Sequence, residues 1–294
     1  MSETGLPFTK VEGMGNDFVL LEWEQIPESW QGRPERLAQI LCHRPFGVGA
    51  DGLLIIQRKT PQRVVMRMFN PDGTEDFCGN GLRCVARFAY EHGYTDATEF
   101  VIEAYRGQEV PVRLHLREGT VDAITTTLPA PRFHPRQIPM LVEGEVVEDY
   151  PLTIADETLR LNAVNTGTTH TVIFTDRLPD DERFHKLSPR LETHPLFPER
   201  TSVLWAVVDS PETIRMRIWE RGVGETLGCG SGAAAVAVLA QRAGWVSETV
   251  EVVSKGGRVK VRWQPNQPVE ITGTAFVRFE GVYFLQDAQK GEAL

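Results

Sequence analysis

The chain has 294 residues, 41% of them apolar, and 31 Lys and Arg against 40 Asp and Glu give a formal net charge of −9. That length accommodates about two domains with sizeable cores, while the acidic balance, without any Lys/Arg stripe, argues against a nucleic-acid partner and leaves small polar substrates open. The longest purely apolar run is eight residues, Ala233 to Ala240, far short of a membrane span. Since MSETGLPFTKVEG has no basic segment followed by an apolar one, the chain is expected in the cytoplasm, with no membrane partner. Its four cysteines, Cys42, Cys78, Cys84 and Cys229, are too few for a disulfide scaffold and are expected to be reduced there.

In chain order, FVLLEW, GLLIIQR, VVMRMFN, EFVIEAY, EVPVRLHL and VDAITTTL read as strands, being β-branched or aromatic runs between turn signals. Two helical patterns interrupt them. PERLAQILC has Pro34 in a first turn, and GLRCVARFAYEHG places Leu82, Val85, Ala86 and Ala89 on one face before Gly93 supplies a stop. GVGADG, Gly47 to Gly52, matches a dinucleotide-binding fingerprint literally, but it follows a helical pattern and leads into a strand. That inverts the required context, so it reads as a tight turn. After the proline-rich LPAPRFHP, a possible domain crossing, strands resume with HTVIFT, SVLWAVV, RMRIWE, VEVVSK, RVKVRW and AFVRFEGVYFL.

The chain repeats itself. MRMFNPDGTEDFCGNGLRCVARFAYEHGY and MRIWERGVGETLGCGSGAAAVAVLAQRAGW share a Met-Arg strand, a glycine-containing loop, Cys-Gly-x-Gly, a helix and a Gly-aromatic stop, with fifteen residues from Cys78 to Gly93 and from Cys229 to Gly244. Such a repeat implies two similar units. The expected fold is α+β: two pseudo-symmetric domains, each a curved, mostly antiparallel sheet or barrel around a central helix that begins at a cysteine. The boundaries are placed at 1–129 and 130–274.

A helix N-terminus presents unpaired N–H groups and about half a positive charge, which lowers a thiol pKa from about 8.5 and makes the cysteine a usable base. Glycines beside it let a carboxylate or phosphate approach the backbone. Two such motifs meeting across a domain cleft would put a thiolate on one face of a substrate carbon and a thiol on the other, the requirement for inverting a stereocentre. The pair would share one proton and titrate as a unit, with the sulfurs about 6–7 Å apart, too far for a disulfide. Cys78 and Cys84 fall on different helix faces, and neither CxxC nor HExxH occurs, so no metal site is expected. Cys84 and Cys42 read as buried small hydrophobes. A cysteine hydrolase would leave the second motif unexplained.

EGMGNDFVLLE, FGVGADGLL, FNPDGTEDFCGNGLRC, NTGTTHTV and WERGVGETLGCGSGAAA, in that order across nearly the whole chain, resemble the diaminopimelate epimerase family. The resemblance implies an isomerase, a two-thiol epimerase without cofactor that interconverts LL- and meso-diaminopimelate for lysine and peptidoglycan biosynthesis, usually as a homodimer, and a last strand, 275–294, that returns to the first domain. It implies Cys78 and Cys229 as the acid/base pair, with His170 and Glu220 tuning them. Gly79, Asn80, Gly230 and Ser231 would hold the α-carboxylate through backbone N–H groups, and Asn16, Asn70, Glu220 and Arg221 would contact the rest of the substrate. Three positions depart from the family pattern: Thr168 and Ser202 stand where asparagines usually hold the distal amino-acid group, and Gly52 where some members carry Gln. A hydroxyl offers fewer hydrogen bonds than an amide. The sequence therefore leaves open a racemase of the same architecture acting on another amino acid, and a non-catalytic amino-acid-binding homologue.

Overall fold

The computed structural model describes residues 4–285, which fall into two compact units, one running through Thr126 and resuming at Thr274, the other spanning Thr127–Gly273. The expected return of residues 286–294 to the first domain lies outside the described residues.

In the first unit β1 (Thr4–Gly13) and β2 (Asn16–Glu22) form a hairpin closed by Met14 and Gly15. Their φ values of 58° and 80° match a turn with two left-handed central residues, whose twist suits paired strands. Helices α1 (Glu28–Gln31) and α2 (Pro34–Leu41) cross to β3 (Gly52–Thr60), which is parallel to β2. β4 (Arg63–Phe69) pairs antiparallel with β3, and α3 (Gly79–Glu91) crosses to β5 (Glu99–Glu103), parallel to β4. β6 (Glu109–Arg117) and β7 (Thr120–Leu128) continue antiparallel.

The second unit repeats the scheme with β8 (Val147–Ile154), β9 (Glu157–Asn165) and β10 (Thr169–Phe174), then α4 (Asp181–Glu192) crossing to a parallel β11 (Ser202–Ser210). β12 (Thr213–Glu220) and the short β13 (Gly224–Thr226) precede α5 (Gly230–Arg242), which crosses to β14 (Thr249–Ser254), parallel to β12. β15 (Gly257–Arg262) and β16 (Val269–Gly273) finish that sheet, and β17 (Phe276–Leu285) returns to the first unit, antiparallel to β1. The strands of each unit thus include two parallel pairs among otherwise antiparallel neighbours, the α+β architecture expected.

Burial explains the apolar run Leu53–Ile56. Leu54 and Ile56 pack with Leu82, Val85 and Ala86 of α3, whereas Leu53 and Ile55 pack with Leu37 and Leu41 of α2. A strand covered on both faces loses its alternation. β11 is sandwiched likewise: Val203 and Trp205 pack with Phe184, Leu187 and Leu191 of α4. α5 is buried from Gly232 through Ala240 and touches strands from β9 to β16, as a helix that is apolar all round must be. Each sheet wraps its central helix.

Helix α4 has no counterpart in the sequence reading. Asp180 caps it by accepting from Arg183 N–H at 2.9 Å, but Pro189 lies inside it, and an internal proline reads as a break. β1, β8, β9, β13 and β16 likewise lie outside the strand runs that the sequence marks.

Candidate active site

Cys78 and Cys229 are the N-caps of the two central helices, with φ/ψ of −139°/112° and −135°/118°. Each sulfur accepts from the N–H three residues on, Gly81 and Gly232, at 3.4 Å. The sulfurs therefore take the role that a serine or aspartate oxygen usually plays at a helix start, where the helix dipole favours negative charge. The third positions are crowded: a Cβ would stand 2.9 Å from Leu54 Cδ2 at Gly81 and 3.0 Å from Leu204 Cδ2 at Gly232, so a larger residue would have to displace a leucine methyl. The other cysteines differ in kind. Burial pushes the Cys42 thiol up to about 12 and raises Cys84 as well, so both stay protonated, as expected of small core residues.

In the first unit Asn16 opens β2 directly after the tight turn and accepts from Asn80 Nδ2 at 2.6 Å. Its own amide donates to Asp51 at 3.2 Å. Arg44 binds both Asp51 and Asp17 at 2.8 Å, Lys10 reaches Asp17 at 2.6 Å and the Gly49 carbonyl, and Arg83 donates to Asn80 Oδ1. Burial would raise the Asp17 pKa, but Arg44 and Lys10 hold it below the usual carboxylate range. GVGADG therefore is the tight turn expected, with Gly49 at φ 79°, and it also supplies the carboxylate that fixes Asn16. Asn70 is set apart from this chain: it donates to Thr74 Oγ1 at 3.0 Å within the loop after β4.

In the second unit Cys229, Gly230, Ser231, Thr168 and His170 come together. His170 is fully buried, and burial lowers its pKa to about 4 against a weaker opposing hydrogen bond to the Thr168 carbonyl. Its Nε2 lies 3.3 Å from Ser231 Oγ, which lies 3.4 Å from Cys229 Sγ. Glu220 and Arg221 form the turn between β12 and β13, where Thr226 donates to Glu220. Ser202 accepts the Arg221 N–H at 3.1 Å, so its oxygen holds that turn and its hydroxyl proton remains for another acceptor.

Several positioning residues escaped the sequence reading. The buried Glu192 of α4 accepts from Gly222 N–H at 2.8 Å and Trp219 Nε1 at 2.7 Å, fixing the Glu220–Arg221 turn from behind. Arg67 grips Glu75, and Arg217 grips Glu225. Both pairs span eight residues within the two repeat copies, a signal present in the sequence, whereas nothing in the sequence marks Glu192.

Two grooves lie at the opposite ends of the central helices, one of about 450 Å³ lined by Phe8, Glu22, His92 and Glu280, the other of about 400 Å³ lined by Glu148, Arg160, Arg242 and Trp245. Neither contains a residue nominated from the sequence. Among the described residues no group of three or more His, Cys, Asp or Glu could hold a metal ion, and no helix is long and apolar enough to cross a membrane.

Comparison with known proteins bears on the whole chain. The sequence model of one family, described as diaminopimelate epimerase, matches residues 8–123 and 162–277. The chain is 40% identical over 278 residues to a protein of Moorella thermoacetica named diaminopimelate epimerase, covering 93% of this chain and 98% of that protein. It is 39% identical over 289 residues to a protein of the same name from Desulfovibrio desulfuricans, covering 95% and 99%. Among solved structures, a hydroxyproline epimerase of Agrobacterium vitis superposes with a TM-score of 0.69 at 16% identity, covering 97% of this chain and 94% of that one. A probable proline racemase of Agrobacterium radiobacter gives 0.68 at 16%, with the same coverage. At such identities the structures speak for the fold alone.

Proposed function

The chain belongs to the diaminopimelate epimerase family and is an isomerase that interconverts diaminopimelate stereoisomers; we propose that Cys78 and Cys229 are the acid/base pair that performs the inversion. The carrying observation is that two thiols, one in each unit, cap a buried helix with the same geometry and accept an N–H bond at the same distance. Inversion at Cα needs one group to remove the proton and a second to return one on the opposite face. A thiolate and a thiol meet that need without a cofactor. The backbone N–H groups at Gly79, Asn80, Gly230 and Ser231 are suited to the α-carboxylate, where negative charge builds as the proton leaves. A racemase for another amino acid and a non-catalytic binding homologue are not favoured, since relatives matched over nearly their whole length are named for diaminopimelate.

We assign Asn16, Asn70, Thr168, Ser202, Glu220 and Arg221 to the substrate's remaining polar groups. Arg221 is suited to a carboxylate because a guanidinium can make two parallel bonds. The reaction is placed in lysine and peptidoglycan biosynthesis in the cytoplasm, where the thiols stay reduced. We further propose a homodimer without nucleic-acid partner, supported by Phe279, Val282 and Phe284 of β17, each more than half exposed. Sedimentation of a single 33.0 kDa species would refute the dimer.

The test of function is NMR detection of Cα–H exchange in deuterated buffer under reducing conditions, with LL-diaminopimelate and a panel of single L-amino acids. Exchange at Cα of diaminopimelate is expected, with two-sided exchange abolished by Cys78→Ala and by Cys229→Ala but retained by Cys84→Ala. Equal loss from all three variants, or exchange of a different amino acid alone, would overturn the assignment.

A further inference from the structure

His170 is a buried ring ringed by hydroxyls. Its Nδ1 lies 2.8 Å from the Thr168 carbonyl, an acceptor only, so Nδ1 carries the proton and Nε2 keeps a lone pair. Thr166 Oγ1, 3.3 Å from Nδ1, gives its proton to the Ser231 carbonyl at 2.9 Å, which leaves its oxygen as a second acceptor for Nδ1–H. Two hydroxyls stand at Nε2: Ser231 Oγ at 3.3 Å and Thr168 Oγ1 at 3.4 Å. Ser231 Oγ is also 3.4 Å from Cys229 Sγ. With one proton to give, Ser231 can serve His170 or the sulfur, but not both.

We propose that Ser231 is a two-position hydroxyl switch for Cys229. When Cys229 is a thiol, Ser231 accepts S–H and donates to His170 Nε2. When Cys229 is a thiolate, Ser231 turns and donates to Sγ, and Thr168 Oγ1 takes its place on Nε2. No covalent bond changes at Ser231, Thr168 or His170. The proton lost by Cys229 is the one exchanged with the substrate carbon, and the three neighbours only reorient. Both hydroxyls are thus positioning residues acting through Cys229, and the inference rests on the assignment of Cys229 as an acid/base.

The surroundings fit a neutral relay. Burial keeps the imidazole uncharged, and the positive Arg221 from the turn after β12 pushes the same way. Glu220, on that turn, accepts from Thr226, and Cys229 and Ser231 sit at the first turn of α5, where the dipole adds positive potential. A protonated His170 would have no lone pair to receive Ser231, so the switch requires the neutral ring. It also gives Thr168 a task that its hydroxyl can perform. The first unit is built differently: Asn80, in the position that Ser231 holds after its cysteine, is tied to Asn16 and Arg83. The Asn80 amide is thus engaged with Asn16 and Arg83 where Ser231 faces a sulfur and an imidazole.

The experiment is the pH dependence of iodoacetamide alkylation at Cys229 and Cys78, resolved by peptide mass spectrometry, in the full chain and its Ser231→Ala, Ser231→Thr and Thr168→Val variants. Removing a donor to a thiolate should move the Cys229 midpoint up by about one pH unit, a tenfold loss of thiolate, without a matching shift at Cys78. Ser231→Thr should restore the midpoint, Thr168→Val should give a smaller shift in the same direction, and the acid limb of kcat/KM for diaminopimelate should follow. An unmoved Cys229 midpoint in Ser231→Ala, or equal shifts at both cysteines, overturns the switch. Failure of the underlying assignment is separately visible: Cys229→Ala that retains two-sided Cα–H exchange, with inversion of diaminopimelate, refutes the acid/base role whatever Ser231→Ala does.

Discussion

Arg67 holds Glu75 through two parallel hydrogen bonds, Nε to Oε1 at 2.8 Å and Nη2 to Oε2 at 2.9 Å, and Arg217 holds Glu225 in the same fork at 2.9 and 3.1 Å. In both units the arginine lies on the strand before the cysteine loop and the glutamate within three or four residues of the cysteine, so each fork ties the loop to its sheet. The environments differ. The Arg217 side chain is 7% exposed and also pairs with Asp181, while Arg67 is 38% exposed. Burial would raise the Glu225 pKa, but hydrogen bonds from Arg217 and Lys255 bring it down to about 2. Glu225→Gln should therefore cost about 2–4 kcal/mol, as for a buried pair losing one charge, and Glu75→Gln about 1 kcal/mol or less. Urea unfolding of both variants checks the order; equal losses would refute it.

The fold was largely legible because the chain states its plan twice. Cys78 with Gly81 and Cys229 with Gly232 marked both helix starts, and Leu82, Val85, Ala86 and Ala89 marked the buried face of α3, all core residues. What stayed hidden depended on pairing or on remote partners. The parallel contacts of β2 with β3 and of β4 with β5 follow from which helix covers which face, and a continuous run such as Leu53–Ile56 does not disclose it. In the sequence Thr168 and Ser202 stand as weaker substrate contacts than asparagine, but their hydroxyls also face His170 and the Arg221 N–H. Glu192 lies in a helix that Pro189 concealed.

Gly81 and Gly232 give a prediction with a built-in control. Alanine at either would press on a leucine, Leu54 Cδ2 or Leu204 Cδ2, and overpacking of this kind costs about 1–3 kcal/mol. It would also push the cap away from the N–H it binds, so kcat/KM should fall more than stability suggests. Leu54→Val in the Gly81→Ala background should recover part of both. If the double variant is no better than the single one, the close approach to Leu54 is not the reason for glycine.

Asp51 offers a test of the polar chain behind Asn16. Its carboxylate accepts from the Asn16 amide and from Arg44, which fixes the Asn16 carbonyl toward Asn80. In Asp51→Asn the new amide can donate where only acceptance is useful, and Arg44 loses half of its charge partnership. Substrate capture should weaken, with KM rising about tenfold for the loss of roughly one charge-assisted hydrogen bond and kcat falling less. A variant whose kcat falls while KM holds would place Asp51 in the chemistry instead.

His170 predicts how stability responds to acid. Its pKa is about 4 in the folded chain and about 6.5 when unfolded. Between those values the unfolded chain takes up a proton that the folded chain excludes, so stability falls as pH drops through that window and is fully present above 6.5. Burial dominates the shift, and because the ring is wholly enclosed the loss approaches about 3 kcal/mol near pH 4. Carboxylates such as Glu225 add losses at lower pH, so the comparison that isolates the histidine is wild type against His170→Gln. Urea midpoints at pH 7.5 and 4.5 should fall further in wild type than in the variant, even though the variant starts lower. Parallel losses would mean that His170 takes up its proton over the same pH range in the folded chain as in the unfolded one, so that burial does not hold the ring neutral.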